Sequence, residues 1–245
     1  MRKGEKPRRP RKVSPARKGS RKGMTRPDAK AARLRERLRR LEAEVEDRTR
    51  DLTDALERQT ATSEILSVIS GSPTDVQPVF DTIVRSAVRL CDARFALVFR
   101  LEGDIVNLVS HHNYSPGALE QFQRSFSHRL SEGGSVVAQT MLRKEIVHIH
   151  DILLNQEVSA AVHELARSAG YRSVLGVPML REGRALGALT VARSDAAGAP
   201  KPFSPREIEL LKTFTEQAVI AVGNMRLFEE EQARTAQSTR SDEEL

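Results

Sequence analysis

From Ala31 to Ser70 the chain runs without a glycine or a proline. Within that stretch Leu34, Leu38, Leu41 and Val45 are spaced by four, three and four residues. The same alternation continues through Arg48, Leu52, Ala55, Gln59, Thr62, Leu66 and Ile69. This is the heptad seam of a helix that meets another helix, apolar at both ends and polar through its middle. Flanking charges such as Glu36, Arg40, Glu44 and Asp47 fall at solvated positions. A helix of about 40 residues is about 60 Å long, too long to bury one stripe against a single small domain. The spacing therefore predicts a homodimer whose parallel seam is Leu34, Leu38, Leu41, Val45, Leu52, Leu66 and Ile69. The alternative is a monomeric helix folded onto its own domain.

Charge is distributed unevenly around this segment. Residues 1–40 hold eighteen Lys and Arg against three Asp and Glu, a net of +15, so the remainder carries −8 of the chain's +7. The high pI belongs to the N-terminal tail, and nucleic-acid binding by the body does not follow. Residues 1–30 mix Pro, Gly and Ser with dense positive charge, a composition that stays disordered. It reads as a solvated tail, or as a polybasic arm for nucleic acid or anionic lipid. Met24, near its end, is an alternative translation start. A single cysteine, Cys91, excludes an internal disulfide and the Cys/His spacings of zinc sites. The absence of a long apolar run argues against a membrane span and a secretory signal. These features together predict a cytoplasmic protein.

Past the turn residues Ser70–Pro73, Thr74 or Asp75 is placed to cap a second helix with a broad apolar face from Val76 to Cys91. Cys91 ends that face and reads as a buried hydrophobe rather than a nucleophile. Phe95, Leu97, Phe99 and Leu101 then alternate, Glu-Gly-Asp makes a turn, and Ile105–Val109 completes a hairpin. Residues 117–125 read as a short helix, and a further helix starts near Ser135. Ile146–Ile152 is a strand, followed by a helix that Gly170 stops. A second hairpin turns at "REGR" (Arg181–Arg184), and a long helix runs from Pro205 to about Glu230. Hairpins without βαβ alternation predict an α+β fold on a mainly antiparallel sheet.

The second hairpin carries three glycines, and glycines beside apolar strands can cradle phosphate. That requires the glycines to sit after a strand and at a helix N-terminus. Gly176 and Gly187 lie instead within strands, Gly183 lies at a turn, and the next helix starts only near Ser204. Glycine inside a strand marks close backbone approach or a kink, and Pro178 belongs on an outward edge or at a bulge. The stretch is a hairpin rather than a nucleotide loop.

Its residues also carry a resemblance. "SVLGVPMLREGRALGALTVAR" followed by "FSPREIELLKTFTEQAVIAVGNMRLFEE" resembles the C-terminal half of a GAF domain, with Ala221, Asn224 and Leu227 in the frame of the family's last helix. "VFDTIVRSAVRLCDARFALVFRLEGD" resembles the family's first helix and strand, and "IVHIHDI" its middle strand. Similarity extends over about residues 64–230. "LERQTATSEILSVISGSP" resembles the linker helix before GAF modules in bacterial sensor histidine kinases and related signalling proteins. The resemblance implies a central six-stranded antiparallel sheet with helices on both sides, preceded by a coiled-coil helix, acting as a sensory module. The expected division is a basic tail (1–30), a signalling helix (31–70), the GAF domain (71–230), and a helical extension or acidic tail (231–245).

Family members bind cyclic nucleotides, bilin or haem. The cyclic-nucleotide pattern "N-K-x(n)-F-x-x-x-D-E" is missing here, and Cys91 is misplaced for attaching a bilin. No cofactor is therefore assigned, and a small-molecule ligand stays open. By the resemblance, the ligand pocket lies between the sheet and the region from Tyr114 to Thr140. Tyr114, Phe122, Phe126, His128 and Val137 are the candidate lining residues, with ordinary core or surface as the other reading. His148 and His150 share one strand face, but a metal would need a third ligand such as His111 or His112, and hydrogen-bonded strand histidines are the plainer reading. His163-Glu164-Leu165 resembles the start of the phosphoacceptor box of histidine kinases. Ala166 departs from it, and no proline follows at Ala169 or Gly170. No catalytic constellation or metal site is assigned.

The resulting expectation is a dimeric regulatory module without turnover of its own, signalling to an output such as a histidine kinase. The alternatives are an interaction protein acting in trans on a kinase or transcription factor, and a DNA-associated protein using the basic arm. The C-terminal "FEEEQARTAQSTRSDEEL" echoes "AEVEDRTRDLTDALE", as in a module taken from a tandem array or set ahead of a kinase core.

Overall fold

A computed structural model describes residues 26–71, 74–114, 116–125 and 129–243. The tail before Arg26, the candidate pocket residues Phe126 and His128, and the last two residues lie outside that set. The element order is α1 (Arg26–Gly71), α2 (Gln77–Leu90), β1 (Phe95–Glu102), β2 (Ile105–His112), α3 (Pro116–Ser125), α4 (Val136–Arg143), β3 (Val147–Ile149), α5 (Ala160–Ala169), β4 (Ser173–Arg181), β5 (Arg184–Arg193) and α6 (Pro205–Glu243). The chain divides into two compact units at Leu52/Thr53. Among the described residues no helix is long and apolar enough to cross a membrane.

Both expected hairpins form. Glu102 pairs with Ile105 across Gly103-Asp104, and Arg181 with Arg184 across Glu182-Gly183. Glu182 and Gly183 both take positive φ, 52° and 72°, as a two-residue type I′ turn requires. Side by side, the hairpins give one antiparallel sheet of order β2-β1-β5-β4-β3. The resemblance implied six strands, and the described residues form five. On the outer side of β2, Arg129 makes one isolated antiparallel bridge to Ile105 and the chain then coils into a 3-10 turn at Leu130–Glu132.

The strand glycines are where two parts of the backbone meet. A Cβ on Gly187 would lie 2.1 Å from the Phe99 carbonyl oxygen of β1, and one on Gly176 2.2 Å from Thr140 Oγ1 of α4. Gly187 lets β1 and β5 pair, and Gly176 lets α4 lie directly on β4. Pro178 falls beyond Gly176, the last β4 residue paired with β3, and just before a register shift at Met179/Leu180.

The pleat of the sheet separates two apolar cores. Ala96 and Val98 of β1, Leu175, Val177 and Met179 of β4, and Leu189 and Val191 of β5 face a core shared with α2, α6 and the last turns of α1. Phe95, Leu97, Phe99, Val174, Ala188 and Ala192 face the opposite core, with α3, α4 and α5. Val76 stands at the N-cap of α2 with no side-chain cap, and Asp75, one of the two residues expected there, accepts the Gln77 N–H at 2.9 Å from one position earlier.

Ile69 corrects the seam. It is buried, with Ala61 and Ile65, in the first of these cores. The last turns of α1 are thus spent on the domain itself, because Ala61, Ile65 and Ile69 recur every four residues and present one face to the apolar side of α2 and α6. Leu34, Leu38, Leu41, Val45, Leu52 and Leu66 are exposed in the single chain. Along α1, hydroxyls bond back to carbonyls four residues earlier: Thr49 to Val45 at 2.7 Å, Thr60 to Leu56 at 2.9 Å, Thr62 to Arg58 at 3.0 Å and Ser70 to Leu66 at 3.0 Å.

Arg193, at the end of β5, is 3% exposed. Its Nε donates to the Lys201 carbonyl at 2.8 Å, Nη2 to the Pro202 carbonyl at 2.8 Å and to Glu207 at 3.0 Å, and Nη1 to Glu207 at 2.6 Å and to the Cys91 carbonyl. Glu207 also closes a capping box at the start of α6, accepting the Ser204 N–H at 2.6 Å and its hydroxyl at 2.7 Å. Burial pushes the Glu207 carboxyl up, but the hydrogen bonds from Arg193 and Ser204 outweigh it and hold the group below its ordinary range.

Two outcomes follow from this packing. Gly187→Ala should lower unfolding stability by about 1–3 kcal/mol in urea titration, because the new methyl meets rigid backbone. Arg193→Ala should cost about 3–5 kcal/mol by leaving the half-buried Glu207 carboxylate without its counter-charge and the Cys91, Lys201 and Pro202 carbonyls without this donor. Because the folded pKa of Glu207 is depressed, the stability it contributes is present above the ordinary carboxylate value of 4.5 and is lost as pH falls through the lower folded value. Glu207→Gln should flatten that acid limb in pH-resolved melts.

Candidate functional site

On the face of the sheet covered by α3, α4 and α5 the second core is incompletely filled. Phe95, Leu97 and Phe99 of β1 form the floor of a cavity of about 60 Å³, with Val174 of β4 and Thr190 and Ala192 of β5 beside them. Tyr114, Phe122, Val137, Leu165 and Tyr171 close over it. The rings meet edge to face: Phe95 lies 4.4 Å from Tyr114 at 63° and 5.2 Å from Tyr171 at 87°. Phe122 lies 5.9 Å from both Phe99 and Tyr114. Burial, with the neighbouring Tyr171 adding to it, pushes the Tyr114 phenol up, and burial alone does the same to Tyr171. Both phenols are neutral at any physiological pH.

Local sequence chemistry fixes the walls. Ser135 caps α4 by accepting the Ala138 N–H at 3.1 Å, and Ser159 caps α5 by accepting the Val162 N–H at 3.4 Å. The two helix starts are tied together where the Ser159 N–H donates to the Gly134 carbonyl at 2.8 Å, with Gly134 at φ 74°. Asp104, in the β1–β2 turn, accepts the Ser131 N–H at 2.9 Å and its hydroxyl at 2.6 Å, which anchors the rim segment. Those Ser131 bonds hold the Asp104 carboxyl below its usual range. At the far end of α5, Gly170 takes φ 69°, and the Tyr171 N–H returns to the Ala166 carbonyl at 3.0 Å. That Schellman-like cap turns Tyr171 under the sheet.

Of the five pocket candidates read from the sequence, Tyr114, Phe122 and Val137 line this one cavity. Phe126 and His128 lie outside the described residues. Sequence reasoning missed Phe95, Phe99 and Tyr171. The alternation in "RFALVF" placed the two phenylalanines on one strand face, but only the sheet order reveals which core that face meets. The tyrosine directly after a helix-ending glycine was the remaining signal.

The other singled-out residues have structural partners. Cys91 is buried in the opposite core, and burial raises its thiol to about 12. The His163 Nε2–H donates to the Asn155 carbonyl at 2.9 Å. The His148 and His150 rings lie 4.5 Å apart, and His148 Nε2 accepts the Phe203 N–H at 3.1 Å. Among the described residues no group of three or more His, Cys, Asp or Glu could hold a metal ion.

A profile of the GAF domain family matches residues 75–222, and the chain belongs to that family. The similarity to solved structures is one of fold. Among these is the GAF domain/HD domain protein of Geobacter sulfurreducens, at 21% identity and a TM-score of 0.55, covering 65% of this chain and 98% of that one. Another is the GAF domain of an Acinetobacter phosphoenolpyruvate-protein phosphotransferase, at 19% identity and TM-score 0.55, covering 71% and 97%. A segment of a methyl-accepting chemotaxis protein aligns at 15% identity and TM-score 0.52, covering 69% and 98%.

The His148 contact yields a pH dependence. Only a neutral imidazole can accept the Phe203 N–H. Burial first, then the charges of His150 and Arg193, lower the His148 pKa against an opposing pull from Glu207. The unfolded chain therefore binds the proton more readily, and the contact's stability is full above the ordinary value of 6.5 and lost as pH falls below it. His148→Gln keeps an acceptor without a titrating group. It should reduce the fall in melting temperature between about pH 7.5 and pH 5.5 as followed by circular dichroism.

Proposed function

We propose that this GAF protein is a sensory or regulatory module that carries out no turnover. A small molecule or partner engaging the aromatic cavity biases the packing of α1 and α6, and a homodimer passes that bias to an output such as a histidine kinase in a two-component phosphorelay. The output domain is either linked to this module or acts in trans.

One observation carries the reading: the cavity and the helix ends use opposite faces of the same three strands. Neighbouring residues of β1, β4 and β5 alternate between the cavity-side core and the core holding Ala61, Ile65, Ile69 and α6. A shift in a strand on occupancy is felt at both helices, since close-packed cores do not deform continuously. The coupling is as large as the ligand's differential affinity for the two helix packings. The polar middle of the seam, at Arg48, Gln59 and Thr62, makes two packings close in energy.

The exposed leucine stripe of α1 supports a two-chain contact, because a lone helix has no reason to hold Leu34, Leu38, Leu41 and Val45 in register in water. Sedimentation should show a dimer at micromolar concentration. Leu38→Glu with Leu41→Glu should weaken it at least about 100-fold, about 2.8 kcal/mol. A wild-type chain that sediments as a monomer would overturn the signalling reading.

A further inference from the structure

The walls of the cavity restrict what can occupy it. We propose that it takes an uncharged, single-ring aromatic compound bearing one hydrogen-bonding substituent. This rests on the reading of the cavity as the sensory site and adds the chemical class of its ligand.

The first ground is charge. Among the described residues lining the cavity there is no Lys, Arg, His, Asp or Glu. Its polar groups are the phenols of Tyr114 and Tyr171 and the hydroxyls of Ser135 and Thr190. His111, whose ring centroid lies 6.5 Å from that of Tyr114, is not among the lining residues. An ion entering would shed water with no counter-charge among these described residues, which disfavours it against a neutral compound of the same shape. The first turns of α4 and α5 border the cavity at Val136, Val137, Ala161 and Val162. Each of those helix starts already spends an N–H on its cap, Ala138 on Ser135 and Val162 on Ser159, which leaves less for an anion. They suit a neutral acceptor oxygen instead.

The second ground is shape. Phe95, Phe99, Tyr114, Phe122 and Tyr171 surround the space, and the edge-to-face angles of Phe95 with the two tyrosines present both ring edges and ring faces to an occupant. An aromatic ring matches such walls through its quadrupole. At 60 Å³ the space is under half of the about 150 Å³ of a dry apolar cavity that takes up benzene, so one six-membered ring is the most it admits, and only with outward movement of a wall ring. A purine or a tetrapyrrole is far larger. The substituent then lies at the mouth, beside the helix starts and exposed Ala161.

The test uses three probes of nearly one shape on the full chain: benzamide, benzoate and benzylamine, titrated by calorimetry and ligand-observed NMR. Benzamide should bind at least tenfold more tightly than either ion. Ala161→Trp, which plugs the mouth from an exposed helix position, should abolish binding while leaving the melting curve close to wild type. Tyr171→Phe, which keeps the ring and removes the hydroxyl, should weaken it several-fold. Benzoate or benzylamine binding as well as benzamide and blocked by Ala161→Trp would overturn the uncharged class and leave the cavity as a binding site. Binding unaffected by Ala161→Trp, or no binding by any probe, would overturn the proposal. The sensory reading is judged separately by sedimentation, which does not depend on these probes.

Discussion

A buried guanidinium needs five hydrogen-bond acceptors, and at Arg193 the fold supplies them from three places. They come from the end of α2 at Cys91, from the connection at Lys201 and Pro202, and from Glu207 at the start of α6. The ring of Phe203 lies 4.1 Å from the guanidinium carbon and shields it from water. Removing any one acceptor leaves a charge or a polar hydrogen stranded in low dielectric, so these segments are held together or not at all. The last strand and the last helix are thereby fixed to each other, and the helix inherits its starting direction from the sheet. The cavity on the other face depends on the same registration, since Thr190 and Ala192 sit on β5 just before Arg193.

The sheet is the element that the cavity and the helix packing share. Because side chains alternate across a strand, one strand can floor a cavity with Phe95, Leu97 and Phe99 while packing Ala96 and Val98 against the helices. Gly187 and Gly176 make this two-sided arrangement possible at its tightest points. Each gives up its side chain where a neighbouring backbone or helix takes the space.

The hairpins, the antiparallel sheet, the helix start near Ser135 and the stop at Gly170 were legible because each rests on short-range chemistry. The strand glycines were legible as points of close approach, though not what they approach. The family frame located the cavity region, and three of its candidates line one space. What could not be read were properties that arise only when distant segments meet. Arg193 looked like any strand-ending arginine until Cys91, Lys201 and Glu207 came together around it. Ile69 followed a heptad perfectly well, yet the domain it adjoins claims it first. The number of strands was inherited from the family, and the single bridge at Arg129 shows how little separates a strand from a turn there.

The hydroxyls of Thr49, Thr60, Thr62 and Ser70 each share a carbonyl with the helical ladder of α1. Such sharing lengthens the ladder bond and lets a helix curve at that turn. Thr60, Thr62 and Ser70 place that sharing in the last turns of α1, beside the buried Ala61, Ile65 and Ile69. Those turns can therefore bend to follow the apolar side of α2 and α6 instead of standing off it.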